Sequence, residues 1–192
     1  MDLNSKVVAG LSRISEVFKV LLWEHAKSLK LSPIQIQILN FISYHKADLC
    51  NVTYLAKEFN LTKPTISDAI RVLVNKELLL KDFSSSDSRS YSLLLTSKGK
   101  EVVTNTENLS DPIKQKLKNI TSIDDLESIY STLSKLIFQL NQSGILTVQR
   151  TCFGCKFYNK NKNSDYCNLL EKELLNTDIR LDCSEYEEKI VG

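Results

Sequence analysis

The stretch VTYLAKEFNLTKPTISDAIRVLVNK, residues 52–76, decides the fold, because it encodes two helices separated by a tight turn. We expect the first helix at about residues 52–59 and the turn at residues 60–62. Thr62 suits the N-cap of the second helix, and Pro64 fits its first turn, where no N–H is needed. The buried side of this second helix is predicted to consist of Ile66, Ala69, Ile70 and Leu73.

The segments on either side of this helix pair complete a small domain. Ser32, Pro33 and Gln35 form a Ser-x-x-Gln capping box that starts an earlier helix. Residues 78–83 and 91–95 have the length and composition of strands and are joined by a polar loop, which predicts a β-hairpin. Three helices followed by a hairpin is the order of a winged helix-turn-helix.

Amphipathic helices are predicted outside this domain at both ends of the chain. Apolar residues repeat at spacings of three and four in an N-terminal helix and in a last long helix that begins near Ser122. Each apolar stripe needs a packing partner. The first stripe comprises Val7, Leu11, Ile14, Phe18, Leu21 and His25, and the second comprises Ile123, Leu126, Ile129, Tyr130, Leu133, Leu136, Ile137 and Leu140.

Composition excludes several classes of protein. The 192 residues are 42% hydrophobic and 25% charged, which is typical of globular chains. The apolar runs are far shorter than the roughly 20 residues of a membrane span, and residues 1–6 lack a secretory pattern, so we expect a cytoplasmic protein without a membrane partner. We find no phosphate loop, nucleophile elbow or paired carboxylates and therefore predict no enzymatic activity.

The outward face of the second helix is polar and partly basic, although the net charge of the chain is only +2. Small, polar and basic side chains suit contacts with base edges and phosphates in the major groove. A solvated surface would have a similar composition, so the context of this helix must decide between the two interpretations. The outward residues are Lys63, Thr65, Ser67, Asp68, Arg71 and Asn75.

The wing of this domain resembles that of a known family. DSR at residues 87–89 followed by LTSKG at residues 95–99 is similar to the D-x-R-x5-L-T-x-x-G signature of MarR-type transcriptional regulators. The predicted helix order over residues 1–142 agrees with that family. The resemblance implies that Arg89 reaches the minor groove or backbone of DNA and that Asp87 helps to hold the loop.

The same resemblance implies a homodimer that binds double-stranded DNA at a pseudo-palindromic operator, and it leaves room for a small-molecule effector. In such a dimer the first and last helices of the two copies intertwine. This arrangement suits the two apolar stripes, because a monomer would expose them.

Four of the five cysteines form a second constellation, spaced Cys152-x2-Cys155-x11-Cys167-x15-Cys183. Four thiols with a leading C-x-x-C are typical of a structural zinc site, and we expect Gly154 to supply an unusual φ within it. An iron–sulfur cluster and metal-free thiols or disulfides remain alternatives.

We therefore predict a mainly α protein with a small β-wing. A winged helix-turn-helix domain lies inside a helical dimer, and a small C-terminal module stabilised by a bound metal follows it. The predicted function is sequence-specific DNA binding. The alternative is a metal- or redox-sensing interaction adaptor whose working part is the four-cysteine module. The predicted domains are residues 1–30 and 104–144 for dimerisation, 31–103 for DNA binding and 145–192 for metal binding.

Overall fold

The computed structural model describes residues 1–84, 91–161 and 164–189. Its chain divides into two compact units, residues 1–56 with 61–117 and residues 57–60 with 118–192. The helices are α1 (Leu3–Ser28), α2 (Pro33–Tyr44), α3 (Val52–Glu58), α4 (Lys63–Asn75), α5 (Ser97–Thr106), α6 (Asp111–Ile120) and α7 (Ile123–Gln142). The strands are β1 (Leu79–Asp82), β2 (Ser92–Leu95), β3 (Tyr158–Lys160), β4 (Asp165–Cys167) and β5 (Lys172–Leu174).

The first unit is built around α2, which packs against α4, α5 and β2. Strands β1 and β2 pair antiparallel, with Leu79 opposite Leu95 and Asp82 opposite Ser92. This order of helices and hairpin confirms the predicted winged helix-turn-helix fold. Its core is apolar, and its most deeply buried side chains include Ile36, Ile38, Leu39, Leu55, Ile66, Ile70, Leu73, Leu79 and Leu93.

Side-chain caps start the helices where the sequence predicts them. The Ser32 N–H donates to Gln35 Oε1 at 2.8 Å, and the Thr65 N–H donates to Thr62 Oγ1 at 3.3 Å. Ser122 starts α7 in the same way, because its Oγ accepts from the Asp125 N–H at 3.2 Å. These bonds satisfy amide groups that have no partner within their own helix.

The LTSKG motif acts at the junction of β2 and α5. Thr96 caps α5 by accepting from the Gly99 N–H at 3.0 Å, and its hydroxyl donates to the Glu77 carbonyl at 2.7 Å. A Cβ on Gly99 would lie 2.1 Å from the Leu78 carbonyl oxygen. The glycine is therefore required because α5 runs directly against the backbone that precedes β1.

Gly99→Ala is expected to lower the free energy of unfolding by about 1–3 kcal/mol, because the backbone must shift to admit the methyl group. Gly10→Ala in α1 is the matched control, since a Cβ there meets nothing within 4 Å. In a helix interior that control change should stabilise by about 0.5–1 kcal/mol. Urea unfolding of both variants measures the effect, and equal stability would contradict the proposed close approach.

Helices α1 and α7 leave their apolar stripes exposed. In α1 the side chain of Ala26 is buried, whereas Val7 and Phe18 of the stripe are 54% and 45% exposed. In α7 Ser134 is buried, whereas Ile123 is 74% exposed and Ile129 is 44% exposed. Exposure of apolar side chains at this spacing is typical of a surface that another polypeptide covers.

The second unit contains α7 and a three-stranded antiparallel sheet in the order β3-β4-β5. The sequence pattern gave no prediction of secondary structure for these strands. The Tyr130 hydroxyl of α7 donates to the Ile179 carbonyl. Phe153 packs edge-on against Phe138 of α7 and against Tyr158 of β3, with ring centroids 5.7 and 5.6 Å apart. Aromatic side chains thus tie the sheet to the long helix within this unit.

Across the described ranges, no helix combines the length and apolar character that crossing a bilayer requires.

Candidate nucleic-acid interface and cysteine cavity

Helix α4 separates its buried and exposed residues as predicted. Ile66, Ala69, Ile70 and Leu73 are buried against the first unit. The structure brings all of the predicted DNA-contacting residues of α4 onto one exposed surface. These residues are Lys63, Thr65, Ser67, Asp68 and Arg71.

Two of these side chains form an ion pair on the exposed surface of α4. Arg71 Nη2 donates to Asp68 Oδ1 at 2.5 Å across one helical turn. Both side chains are largely exposed, so water screens the pair and it contributes little to stability. Its main effect is to orient the planar guanidinium, whose parallel donors suit the acceptors of a guanine edge.

The predicted wing contacts, Asp87 and Arg89, lie outside the described residues. The ends of the two strands next to this loop are described. Lys81 Nζ lies 4.4 Å from the centroid of the Tyr91 ring, and the Phe83 ring lies 5.5 Å from Tyr91. Sequence reasoning missed this basic and aromatic cluster, because cross-strand contacts depend on the hairpin register.

With this geometry established, the chain can be compared with known proteins. Residues 29–90 match the MarR family model. The matched segment is about a third of the chain and spans α2, α3, α4 and β1.

Solved structures share the fold of about 70% of this chain. The regulator MepR of S. aureus, in its DNA-binding conformation, is 23% identical with a TM-score of 0.60, over 70% of this chain and 98% of MepR. A MarR transcriptional regulator from Methanosarcina mazei Go1 is 17% identical with a TM-score of 0.60, over 72% and 98% of the two chains. The S. aureus MepR–DNA complex is 23% identical with a TM-score of 0.59, over 69% and 97%. At these identities the likeness establishes the winged-helix fold.

The four C-terminal cysteines line one cavity in the second unit, with a volume of about 30 Å³. Cys152 begins a short 3₁₀ turn, Cys155 follows that turn, Cys167 ends β4 and Cys183 lies in the loop after Ile179. All are free thiols. No three His, Cys, Asp or Glu side chains of the described ranges are placed to hold a metal ion together.

Arg180 directs two donors at sulfur atoms of this cavity. Its backbone N–H donates to Cys152 Sγ at 3.2 Å, and its guanidinium Nη1 lies 3.7 Å from Cys183 Sγ. Burial raises the pKa of the Cys152 thiol, and the hydrogen bond to Cys183 raises the pKa of Arg180. Sequence reasoning missed Arg180, because it belongs to no ligand motif.

Gly154 differs from the expectation for it. Gly144 is the glycine with a positive φ, 76°, among the described residues. At Gly154 the relevant feature is space, since a Cβ there would lie 2.1 Å from Gln149 Nε2. That side chain is held in place, because Gln149 Oε1 accepts from the Thr151 N–H at 2.8 Å.

A buried arginine lies beside the cavity and was also missed by sequence reasoning. Arg150 Nη1 and Nη2 donate to the Glu58 carboxylate at 2.7 and 3.1 Å, and its Nε donates to Asp182 Oδ1 at 2.5 Å. Burial alone would lower the pKa of Arg150, but the bonds to both carboxylates outweigh it and raise that pKa above its ordinary value. Arg150 therefore stays charged. Its contact with Glu58 joins two residues that are 92 positions apart in the chain.

Two further titratable side chains, His45 and Cys50, have structural surroundings. His45 stacks on Phe41, with ring centroids 3.8 Å apart, and its Nδ1 lies 2.8 Å from the Phe41 carbonyl oxygen. Cys50 is 1% exposed, and burial raises the pKa of its thiol to about 11. At neutral pH this thiol is protonated and shielded, which is the opposite of what a reactive cysteine needs.

Proposed function

We propose that this chain is a DNA-binding transcriptional regulator that acts as a homodimer on a pseudo-palindromic operator. The observation that carries the proposal is the exposed polar surface of α4. This helix belongs to a winged helix-turn-helix and lies within residues 29–90, which match the MarR family model. In this fold the helix after the turn enters the major groove. The crystal structure of S. aureus MepR with DNA supports the proposal, because MepR has the same fold and binds DNA.

Within this surface, the side chains have different roles. Arg71 reads a base edge, with Asp68 setting the orientation of its guanidinium. Lys63 stands at the start of α4, where its flexible amine can reach a phosphate. Thr65 and Ser67 offer hydroxyls that donate to or accept from either kind of partner.

The hairpin extends the contact beyond the major groove. Arg89 inserts into the minor groove or follows the backbone, and Asp87 holds the loop that carries it. The Lys81–Tyr91 contact supports this assignment because it places a basic side chain and an aromatic ring at the loop end of the hairpin. A basic side chain suits a narrow minor groove because the negative potential is strongest there.

The two copies associate through the exposed stripes of α1 and α7. Val7 of the α1 stripe and Ile123 of the α7 stripe are 54% and 74% exposed in the single chain. Two-fold symmetry presents the same stripe from each copy and spaces two α4 helices for two half-sites.

Arg71→Ala tests the proposed function. If Arg71 reads a base, affinity for a selected operator should fall by about 1–3 kcal/mol, whereas loss of a phosphate contact should mainly reduce the salt dependence of binding. Arg13→Ala in α1 is the matched control, because it removes the same charge outside the helix-turn-helix. Fluorescence anisotropy across a salt series measures both quantities. Unchanged affinity and salt slope in Arg71→Ala would exclude Arg71 from the interface.

A second candidate function is a metal- or redox-sensing interaction adaptor that works through its cysteine module. The cavity shared by four free thiols favours it. The two functions separate in one measurement on the unmodified chain. Binding to operator DNA selected from a random pool supports the regulator, whereas no enrichment of any duplex at low salt supports the adaptor.

A further inference from the structure

We propose that Cys152, Cys155, Cys167 and Cys183 bind a single zinc ion and that Arg180 stabilises the zinc-bound thiolates. This inference goes beyond the proposed DNA binding. It begins from an observation that sequence spacing could not supply: cysteines from three separate segments of the second unit line one cavity. Four thiolates in a tetrahedral arrangement are a common ligand set for structural Zn²⁺.

The ligand set favours zinc among the metal alternatives. Four thiolates at about 2.3 Å from one Zn²⁺ form a closed structural site that needs no further component. A [4Fe–4S] cluster would need iron and inorganic sulfide in addition to the same four cysteines.

The backbone holds the cysteine-bearing segments together. The Cys152 N–H donates to the Arg180 carbonyl at 3.2 Å, and the Cys183 N–H donates to the Arg150 carbonyl at 3.1 Å. Strand pairing places Cys167 opposite Tyr158, three residues after Cys155. Each segment is thus anchored by the main chain, so that convergence of the thiols on one point depends on side-chain rotations.

Those rotations require the metal. The described thiols surround the cavity without forming a metal-holding group. Neutral thiols gain little from meeting at one point, because each is a weak donor and a weak acceptor. Zn²⁺ displaces the protons and supplies the attraction that draws four thiolates inward.

Arg180 supplies the compensating charge and hydrogen bonds. Four thiolates and one Zn²⁺ carry a net charge of −2, and the Arg180 guanidinium beside Cys183 offsets one unit of it. The Arg180 N–H directed at Cys152 Sγ gives a second donor to the same ligand set. Donors in this position orient ligands and typically change metal affinity by about 10–100-fold.

The apolar core of this part of the second unit is small. Among its described residues after position 145, the buried apolar side chains are Cys155, Leu174 and Ile179. The free energy gained by burying so small a core does not offset the conformational entropy lost when about 40 residues become ordered. Zinc binding should therefore determine whether the module is folded.

The test is metal analysis of the full chain purified under anaerobic conditions. We expect about one zinc per chain in the unmodified protein and in Cys50→Ser, which removes the one cysteine outside the cavity. Cys155→Ser and Cys183→Ser should lose the metal, and limited proteolysis should then cleave the module rapidly. Cobalt loaded in place of zinc should show the intense visible absorption of a tetrahedral thiolate site.

Arg180→Ala should retain zinc but release it to a competing chelator with an affinity about 10–100-fold weaker, and Arg180→Lys should recover part of the loss. Iron with inorganic sulfide, disulfides between these cysteines, or a metal-free chain with a protease-resistant module would each overturn the proposal. Arg71→Ala should keep its zinc, so failure of this inference is distinguishable from failure of DNA binding.

Discussion

Placing glutamate at Leu11 and Ile14 is expected to abolish the homodimer. Both side chains lie in the apolar stripe of α1, and they are 38% and 49% exposed in the single chain. Burying a large aliphatic side chain contributes about 1.5–3 kcal/mol, and a charge in its place must be desolvated without a partner. A symmetric dimer contains each of the two changes twice. The expected loss of dimerisation free energy is therefore larger than the effect of any other substitution considered for this chain.

Ser5→Glu combined with Ser12→Glu is the matched control, because it adds the same charge to the side of α1 opposite the stripe. Analytical ultracentrifugation should show a dimer for the unmodified chain and the control. The Leu11 and Ile14 variant should be monomeric or insoluble, and deletion of residues 1–28 should leave unfolded or insoluble protein. A stable dimer in the Leu11 and Ile14 variant, or a well-folded monomer after the deletion, would refute the proposed interface.

Arg150→Met is expected to destabilise the second unit by about 3–5 kcal/mol. The Arg150 side chain is 7% exposed and its partner Glu58 is 19% exposed, so the substitution leaves a poorly hydrated carboxylate without its counter-charge. Asp182 is 50% exposed, and water can replace the arginine there at small cost. The loss should therefore come mainly from Glu58.

Two further variants isolate this effect. Adding Glu58→Gln to Arg150→Met should recover part of the stability, because the unpaired carboxylate is removed. Lys114→Met breaks an exposed pair with Asp111, at 3.0 Å, and should cost less than about 1 kcal/mol. Hydrogen exchange followed by mass spectrometry reports the stability of each region. Equal protection of the second unit in Arg150→Met and Lys114→Met would show that the buried pair does not stabilise it.

Local chemistry explains why the helices were predictable. Ser32, Thr62 and Ser122 each lie three residues before the residue whose amide or side chain completes the cap, so a short segment of sequence contains the whole interaction. The buried and exposed sides of α4 follow from a period of 3.6 residues for the same reason. Asp87 and Arg89 rest on the family resemblance and stay predictions.

The strands β3, β4 and β5 were not predictable in this way. Each has three residues, which is too short for an alternating pattern to distinguish a strand from a loop. Their register, with Tyr158 opposite Cys167, depends on how the module closes. Gly154 illustrates the same limit, since the Gln149 and Tyr186 side chains restrict the space around it, and an unusual φ does not.

The sequence by itself determined the helix boundaries and the polar surface of α4, and it identified the four cysteines as candidate metal ligands. Each of these depends on spacing within a few residues or on residue type alone. Tertiary structure decided which distant groups meet. It placed Arg180 beside Cys183 and Cys152, and it buried Arg150 against Glu58, which lies 92 residues earlier in the chain. Burial and charge compensation act through space, and no local pattern records which side chains will share a low-dielectric site.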